Sequence, residues 1–373
     1  MCTVALGRAG VVATLAVAVV SVTMGCSRPA GTSEDVRTIE HLRQAGGYAE
    51  VARLTASLAA EFYAHEAAHG FERGAEALQR CADTLMRHTR GEENPETISA
   101  ALNHCVYTVL GVTFTGERND PSADHPWLAV ASGKGSCLGI GLMQLILAEQ
   151  AGIPLYGVFV PGHFFVRYDN GTTRRTLETL RDGSHRDDAW YRRVFPHSER
   201  AWYLSRNLTV AQVAAVILFN IGNAYAAQGE HARAVRILEG AVELMPDWAH
   251  AWGNLAVSLE QCGRYREALA SLEQAAERDD DLENLQRNRA ALHLRLGNIA
   301  RALEHYRAAV ERTPHDTLAL YGLGYVHLLQ GEYVSALHYG SASLSLAPSF
   351  SEAQELVVRA REGGGYRGQG GER

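Results

Sequence analysis

The sequence predicts an α+β domain followed by an all-α solenoid of paired helices. Two patterns carry this. Over the C-terminal half, Gly229, Gly263, Gly297 and Gly331 recur with a period of 34. Ala234, Ala268, Ala302 and Ala336 keep the same period, as do Pro246, Pro314 and Pro348, with Asp280 in the remaining Pro position. Upstream, a wholly apolar segment at 137–150 precedes two strand-like runs and a hairpin signal at Asn170-Gly171. A length of 373 residues suits two or three domains, and 46% hydrophobic residues are enough for real cores.

Charge excludes one class of function. The net charge is -7 and is spread evenly. Residues 27–205 carry 22 acids against 18 bases, and residues 206–373 carry 20 against 16. No basic tract of the kind that holds nucleic acid is present. All bases but Lys134 are arginine, and none of the six cysteines forms a CxxC pair of the kind found in zinc ribbons or thioredoxin-type sites.

Residues 1–25 have the layout of a signal peptide: a charged start at Arg8, an apolar middle and a small residue before a cut. The apolar run is shorter than the roughly 20 residues of a spanning helix. Gly25-Cys26 resembles a bacterial lipobox, although Thr23 and Met24 are atypical. This reading expects export, lipid on Cys26, attachment to a cell-envelope membrane through that lipid, and a tether over 26–36.

The repeats divide as 215–248, 249–282, 283–316 and 317–350, with a capping helix at 351–361 and a disordered tail over 362–373. In each unit Gly closes the turn between two helices, Ala lets them approach, and Pro stops the second helix. This period and residue set resemble the tetratricopeptide repeat. Arg289 and His293 depart from it and weaken the first helix of the third unit. The resemblance implies a protein partner on the solenoid, which is assigned residues 206–361.

The domain at 37–205 carries the chemistry. Residues 37–115 read mainly as helices. Ser136 is a good N-cap for a buried helix over 137–150, which Gly152 and Pro154 stop. Cys137 thus lies in a first helical turn, where the dipole and free N–H groups favour a thiolate. Strands are expected at 155–160 and 163–169. With Asn170-Gly171 as a two-residue loop, His163 lies directly opposite Glu178, at the spacing where a carboxylate orients an imidazole. A Cys, a His and an acid in these places suit nucleophilic attack on a carbonyl, with proton transfer by His.

The segments GSCLGIGLMQLILAEQAGIP, VPGHFFVRY and TLETL resemble the bacterial transglutaminase-like superfamily, in its branch joined to tetratricopeptide repeats. Ala101-Leu102-Asn103 resembles that branch more loosely. The resemblance implies a papain-like fold with catalytic Cys137 and His163, and with Glu178 where the family has Asp. It implies thiol acyl chemistry on an amide of a protein or peptide (hydrolysis, deamidation or transamidation) and requires no cofactor. The alternative is a noncatalytic assembly lipoprotein that works through its repeats.

A rival motif is His65-Glu66-Ala67-Ala68-His69, which matches the H-E-x-x-H of zinc peptidases, with Glu92 or Glu93 as third ligand. Against it, Glu72 stands where the metzincin extension has Gly. Cys81 and Cys105 fall on expected helices, either disulfide-bonded or simply buried.

Overall fold

The computed structural model describes residues 33–59, 62, 67–92, 94–116, 121–180, 183–195, 204–282 and 284–365. It divides into two compact units, whose described parts run to Pro246 and from Asp247.

The first unit opens with α1 (Ser33–Leu42), α2 (Tyr48–Leu58), α3 (Ala67–Thr89) and α4 (Pro95–Asn103). A π-helical stretch, His104–Val109, continues from α4. Then come β1 (Thr113–Phe114), α5 (Pro121–Asp124), α6 (Pro126–Ser132), β2 (Lys134–Gly135) and α7 (Cys137–Ala151). After α7 the chain enters β3 (Leu155–Val160), β4 (His163–Asp169) and β5 (Arg174–Leu177), an antiparallel sheet in that order. Helix α8 (Asp188–Val194) follows. The strand spans at 155–160 and 163–169 are those read from the sequence.

Helix α7 is the centre of this unit. Ser136 caps its start by accepting the Gly139 N–H at 3.1 Å, and Gly152 ends it in the left-handed region. Every residue from Leu138 to Ala148 is buried, so the helix has no polar face and needs neighbours on all sides. The strands cover one side. Gly141 leaves room for the Phe164 ring of β4, which a Cβ would meet at 2.6 Å.

The first repeat belongs to this compact unit, which extends past the expected domain boundary at 205/206. Its helices are α9 (Val210–Ala227) and α10 (His231–Leu244). Thr209 and Gln212 form a reciprocal capping box that starts α9 earlier than the period suggests. Leu208 N–H bonds the Gly157 carbonyl of β3, Tyr225 hydroxyl bonds Leu58 carbonyl, and Asn220 bonds Asp124. Arg233 and Arg236 of α10 hold the buried Asp35 of α1. Helix α9 is long and apolar enough to cross a membrane, but 56% of that span is buried inside the protein, as in a core helix.

The second unit consists of α11 (Ala249–Gln261), α12 (Tyr265–Arg278), α13 (Leu285–Arg295), α14 (Ile299–Arg312), α15 (Thr317–Leu329), α16 (Tyr333–Leu346) and α17 (Ser351–Gly363). Its three Gly turns share one geometry with the turn of the first repeat. At Gly263, Gly297 and Gly331 the next N–H reaches back to close a Schellman-type cap, at 2.9, 2.8 and 2.9 Å. Small residues let the helices approach: Gly322 lies against the Tyr306 ring, and Ala336, Ala353 and Ala360 line the last core with Leu356. Helix α13 is short and starts after Asn284 in the left-handed region.

Candidate active site

Three elements bring the predicted residues together. Cys137 is the first residue of α7 and is half-buried. Its position is fixed from behind. Ser136 hydroxyl donates to Asp124, whose other oxygen accepts from Asn220 at 2.9 Å. Ser136 N–H donates to the Ala123 carbonyl at 2.9 Å. That carbonyl approaches α7 where Gly139 has no side chain, since a Cβ there would lie 2.1 Å from it.

His163 begins β4 directly after the Pro161-Gly162 turn, with Gly162 at φ 83°. Its side chain is buried and interacts with the Cys137 thiol on one side. On the other, its Nε2 lies 2.7 Å from Glu178 Oε1. The Nε2 contact leaves Nδ1 as the nitrogen available to sulfur. The ring stacks on Phe195 with centroids 4.7 Å apart and planes 8° from parallel. Burial pushes the His163 pKa down, but the hydrogen bonds and charges of Cys137 and Glu178 outweigh it and raise the pKa to about 9.

Glu178 lies just beyond β5. Its Oε1 also accepts the backbone N–H groups of Thr179 at 2.7 Å and Leu180 at 3.2 Å. Burial works against its charge, yet the His163 imidazole, the Thr179 N–H and the Tyr191 hydroxyl together hold the carboxyl below its usual range. Tyr191 stacks in turn on Phe165, with centroids 4.0 Å apart. Tyr191 and Phe195 come from α8 and its end, a segment in which the sequence reading identified no functional role. The aromatic-rich run Trp190-Tyr191…Phe195 was the available signal.

The pairing of His163 with Glu178 differs from expectation. Strand β4 pairs with β5 as Asp169↔Arg174 and Val166↔Leu177, so the loop is 170–173 and not Asn170-Gly171 alone. Asn170 Oδ1 accepts from Thr172 and Thr173 N–H groups and organises the longer loop. The register is displaced by two residues. Since side chains alternate with period two, Glu178 keeps the face of His163 and sits diagonally from it. A diagonal neighbour is within reach of a long side chain, and the longer arm of Glu suits that offset.

Lys134, in β2, is exposed. Cys26, His65, Glu66 and Glu93 lie outside the described residues, and the side chain of His69 lies outside them too. Among the described residues, no group of three or more His, Cys, Asp or Glu is placed to hold a metal ion.

Comparison with known proteins matches residues 72–200 to the transglutaminase-like superfamily. Residues 212–281 and 287–349 match tetratricopeptide repeat models. A UPF0162 protein of Xylella fastidiosa (strain 9a5c) is 27% identical over 173 residues, covering 44% of this chain and 62% of that one. DnaJ homolog subfamily C member 7 of Mus musculus is 33% identical over 90 residues, covering 24% of this chain and 18% of that one. The chain thus spans less than two thirds of either relative. Among solved structures, MamA protein is 21% identical with a TM-score of 0.38, covering 41% of this chain and 84% of that one. YrrB, described as a TPR protein, is 22% identical with a TM-score of 0.36, covering 41% of this chain and 79% of that one. The chain carries a domain of the transglutaminase-like superfamily, and tetratricopeptide repeats follow it.

Proposed function

We propose that the chain is an exported, lipid-anchored thiol enzyme acting on amide bonds of a protein or peptide, with its repeats recruiting a protein partner. The observation that carries the catalytic part is buried His163, which lies 2.7 Å from Glu178 and interacts with Cys137 at the start of α7. On this reading Cys137 sulfur attacks the amide carbonyl carbon as a thiolate, paired with the His163 imidazolium. The carbonyl electron pair moves to oxygen, where the Cys137 backbone N–H at the helix start is a donor. As the C–N bond breaks, His163 gives its proton to the leaving amine. Water or a second amine then attacks the thioester, His163 takes the incoming proton, and the thiol is released. Glu178 touches no reacting atom and holds the imidazole in orientation. Export through residues 1–25 and lipid on Cys26 rest on the sequence pattern alone.

Iodoacetamide at near-neutral pH tests the catalytic reading. Cys137 is expected to be alkylated about 10²-fold faster than Cys81, Cys105 or Cys262. Burial holds the Cys81 and Cys105 thiols up, Cys105 to about 11. Equal, slow labelling of all four would sink it. A second reading, a noncatalytic assembly protein, has the repeats in its favour. It expects Cys137→Ala to leave both partner binding and the cellular phenotype intact.

A further inference from the structure

Cys81 and Cys105 lie far from Cys137 in role, and no step above uses them. Cys81 sits on α3, and Cys105 on the π-helical stretch His104–Val109. Both are buried free thiols, close enough that each perturbs the other. Both line the same cavity of about 410 Å³. Exposed Arg80, His104 and Val109 stand among its other lining residues, so small molecules have a way in from solvent. The widened π turn is completed at this cysteine, whose carbonyl accepts the Leu110 N–H at 2.9 Å.

From two free buried thiols lining one cavity we infer that Cys81 and Cys105 form a reversible disulfide by exchange with a small-molecule disulfide. The exchange balances without any other oxidant. Cys81 sulfur attacks one sulfur of the small disulfide, their S–S bond forms, and the first small thiol leaves with the proton from Cys81. Cys105 then attacks the Cys81 sulfur of the mixed disulfide. The Cys81–Cys105 bond forms, and the second small thiol leaves with the proton from Cys105. Two protein thiols are oxidised and one small disulfide is reduced to two thiols. Burial raises the Cys81 thiol, but Cys105 and then Arg80 partly offset it, which makes Cys81 the better placed to attack. Cys105, pushed by burial to about 11, resolves the intermediate.

The bond would tie α3 to the segment that follows Asn103. That side chain accepts from Gln144 of α7 at 3.2 Å and donates to the Gly183 carbonyl at 3.0 Å. The cross-link therefore braces the helix that presents Cys137, although the inference does not depend on Cys137 being catalytic.

The test uses the full chain incubated with oxidised glutathione, unfolded in excess alkylating agent without reductant, and mapped by peptide mass. The expected result is a linked peptide pair containing Cys81 and Cys105, reversed by dithiothreitol. The oxidised form should melt about 5–10 °C above the reduced one. Cys105→Ser should stop at a stable glutathione adduct on Cys81. Two outcomes overturn the inference: a stable glutathione adduct on either cysteine of the unaltered chain, or both thiols still free after Cys137 and Cys262 have reacted. The mapping on the unaltered chain decides the matter even if Cys105→Ser does not fold.

Discussion

In the repeats, helices meet through the same residue classes at the same places: a Gly in each turn, an Ala early in each second helix, and aromatic rings against small residues. Helix α7 meets each neighbour once and differently. It takes a carbonyl at Gly139 and the Phe164 ring at Gly141. At Gln144 it donates a side-chain hydrogen bond to Asn103. A repeated contact tolerates local error because its neighbours hold the same geometry. A contact made once has no such reserve, and the candidate site rests on contacts of that second kind.

The largest effect expected from breaking this arrangement is at His163. His163→Ala should slow alkylation of Cys137 by about 10²-fold at neutral pH, read as single-site labelling rates. A rate unchanged by that substitution would separate the thiol from the imidazole. The pH profile sharpens the point. His163 has its pKa raised from 6.5 to about 9, so the imidazolium that the proposed mechanism uses to protonate the leaving amine is lost as pH rises through about 9. Amide turnover should fall over that range, read as kcat/KM on a responsive peptide. Stability follows the same sign. The contribution of His163 is complete below pH 6.5 and is lost as pH rises from there through about 9. Glu178, held below its ordinary value, contributes the opposite way, and its share is lost as pH falls. Glu178→Gln keeps the shape and removes the charge, so the alkaline fall in turnover should move to lower pH with little change in KM. An alkaline limb that stays put would leave Glu178 with a structural role only.

These residues were legible in the sequence for definite reasons. Cys137 follows a capping Ser and opens an apolar run, and His163 follows a Pro-Gly turn between two strands; all of this is local chemistry. Glu178 was found on the correct face through a register that was two residues out. The Asn170 side chain draws Thr172 and Thr173 into the loop, and Asn-Gly alone does not announce this. The even displacement preserved the face; an odd one would have turned Glu178 away. Phe195 and Tyr191 were missed because they act by stacking on partners distant in sequence, and no spacing encodes that. The repeats were legible because their contacts recur at one period. What the period did not encode is that the first repeat packs with the upstream domain, through Asn220, Tyr225 and Arg233.

A pair of glycine substitutions tests the contrast on the scale of stability. Gly139→Ala places a Cβ 2.1 Å from the Ala123 carbonyl, which cannot retreat without releasing Ser136 N–H. It should cost about 3 kcal/mol in denaturant unfolding and slow Cys137 labelling as well. Gly297→Ala meets nothing within 4 Å but stands at φ 76°. It should cost about 1 kcal/mol, from backbone strain alone, with labelling unchanged. Equal costs would mean that α7 yields as easily as a repeat turn.

The smallest effect is expected at the one lysine. Lys134 stands three residues before Cys137 in sequence, which suggests a charge that helps hold a thiolate. Its side chain is exposed on β2, where salt at physiological strength screens charges beyond about 8 Å. Buried His163, by contrast, interacts with Cys137 directly. Lys134→Gln should therefore change the Cys137 labelling rate by less than about twofold at physiological salt. A tenfold loss, restored by Lys134→Arg, would show that the site draws on a surface charge in addition to the imidazolium. The contrast between a buried, uniquely held site and a tolerant exterior would then have to be redrawn.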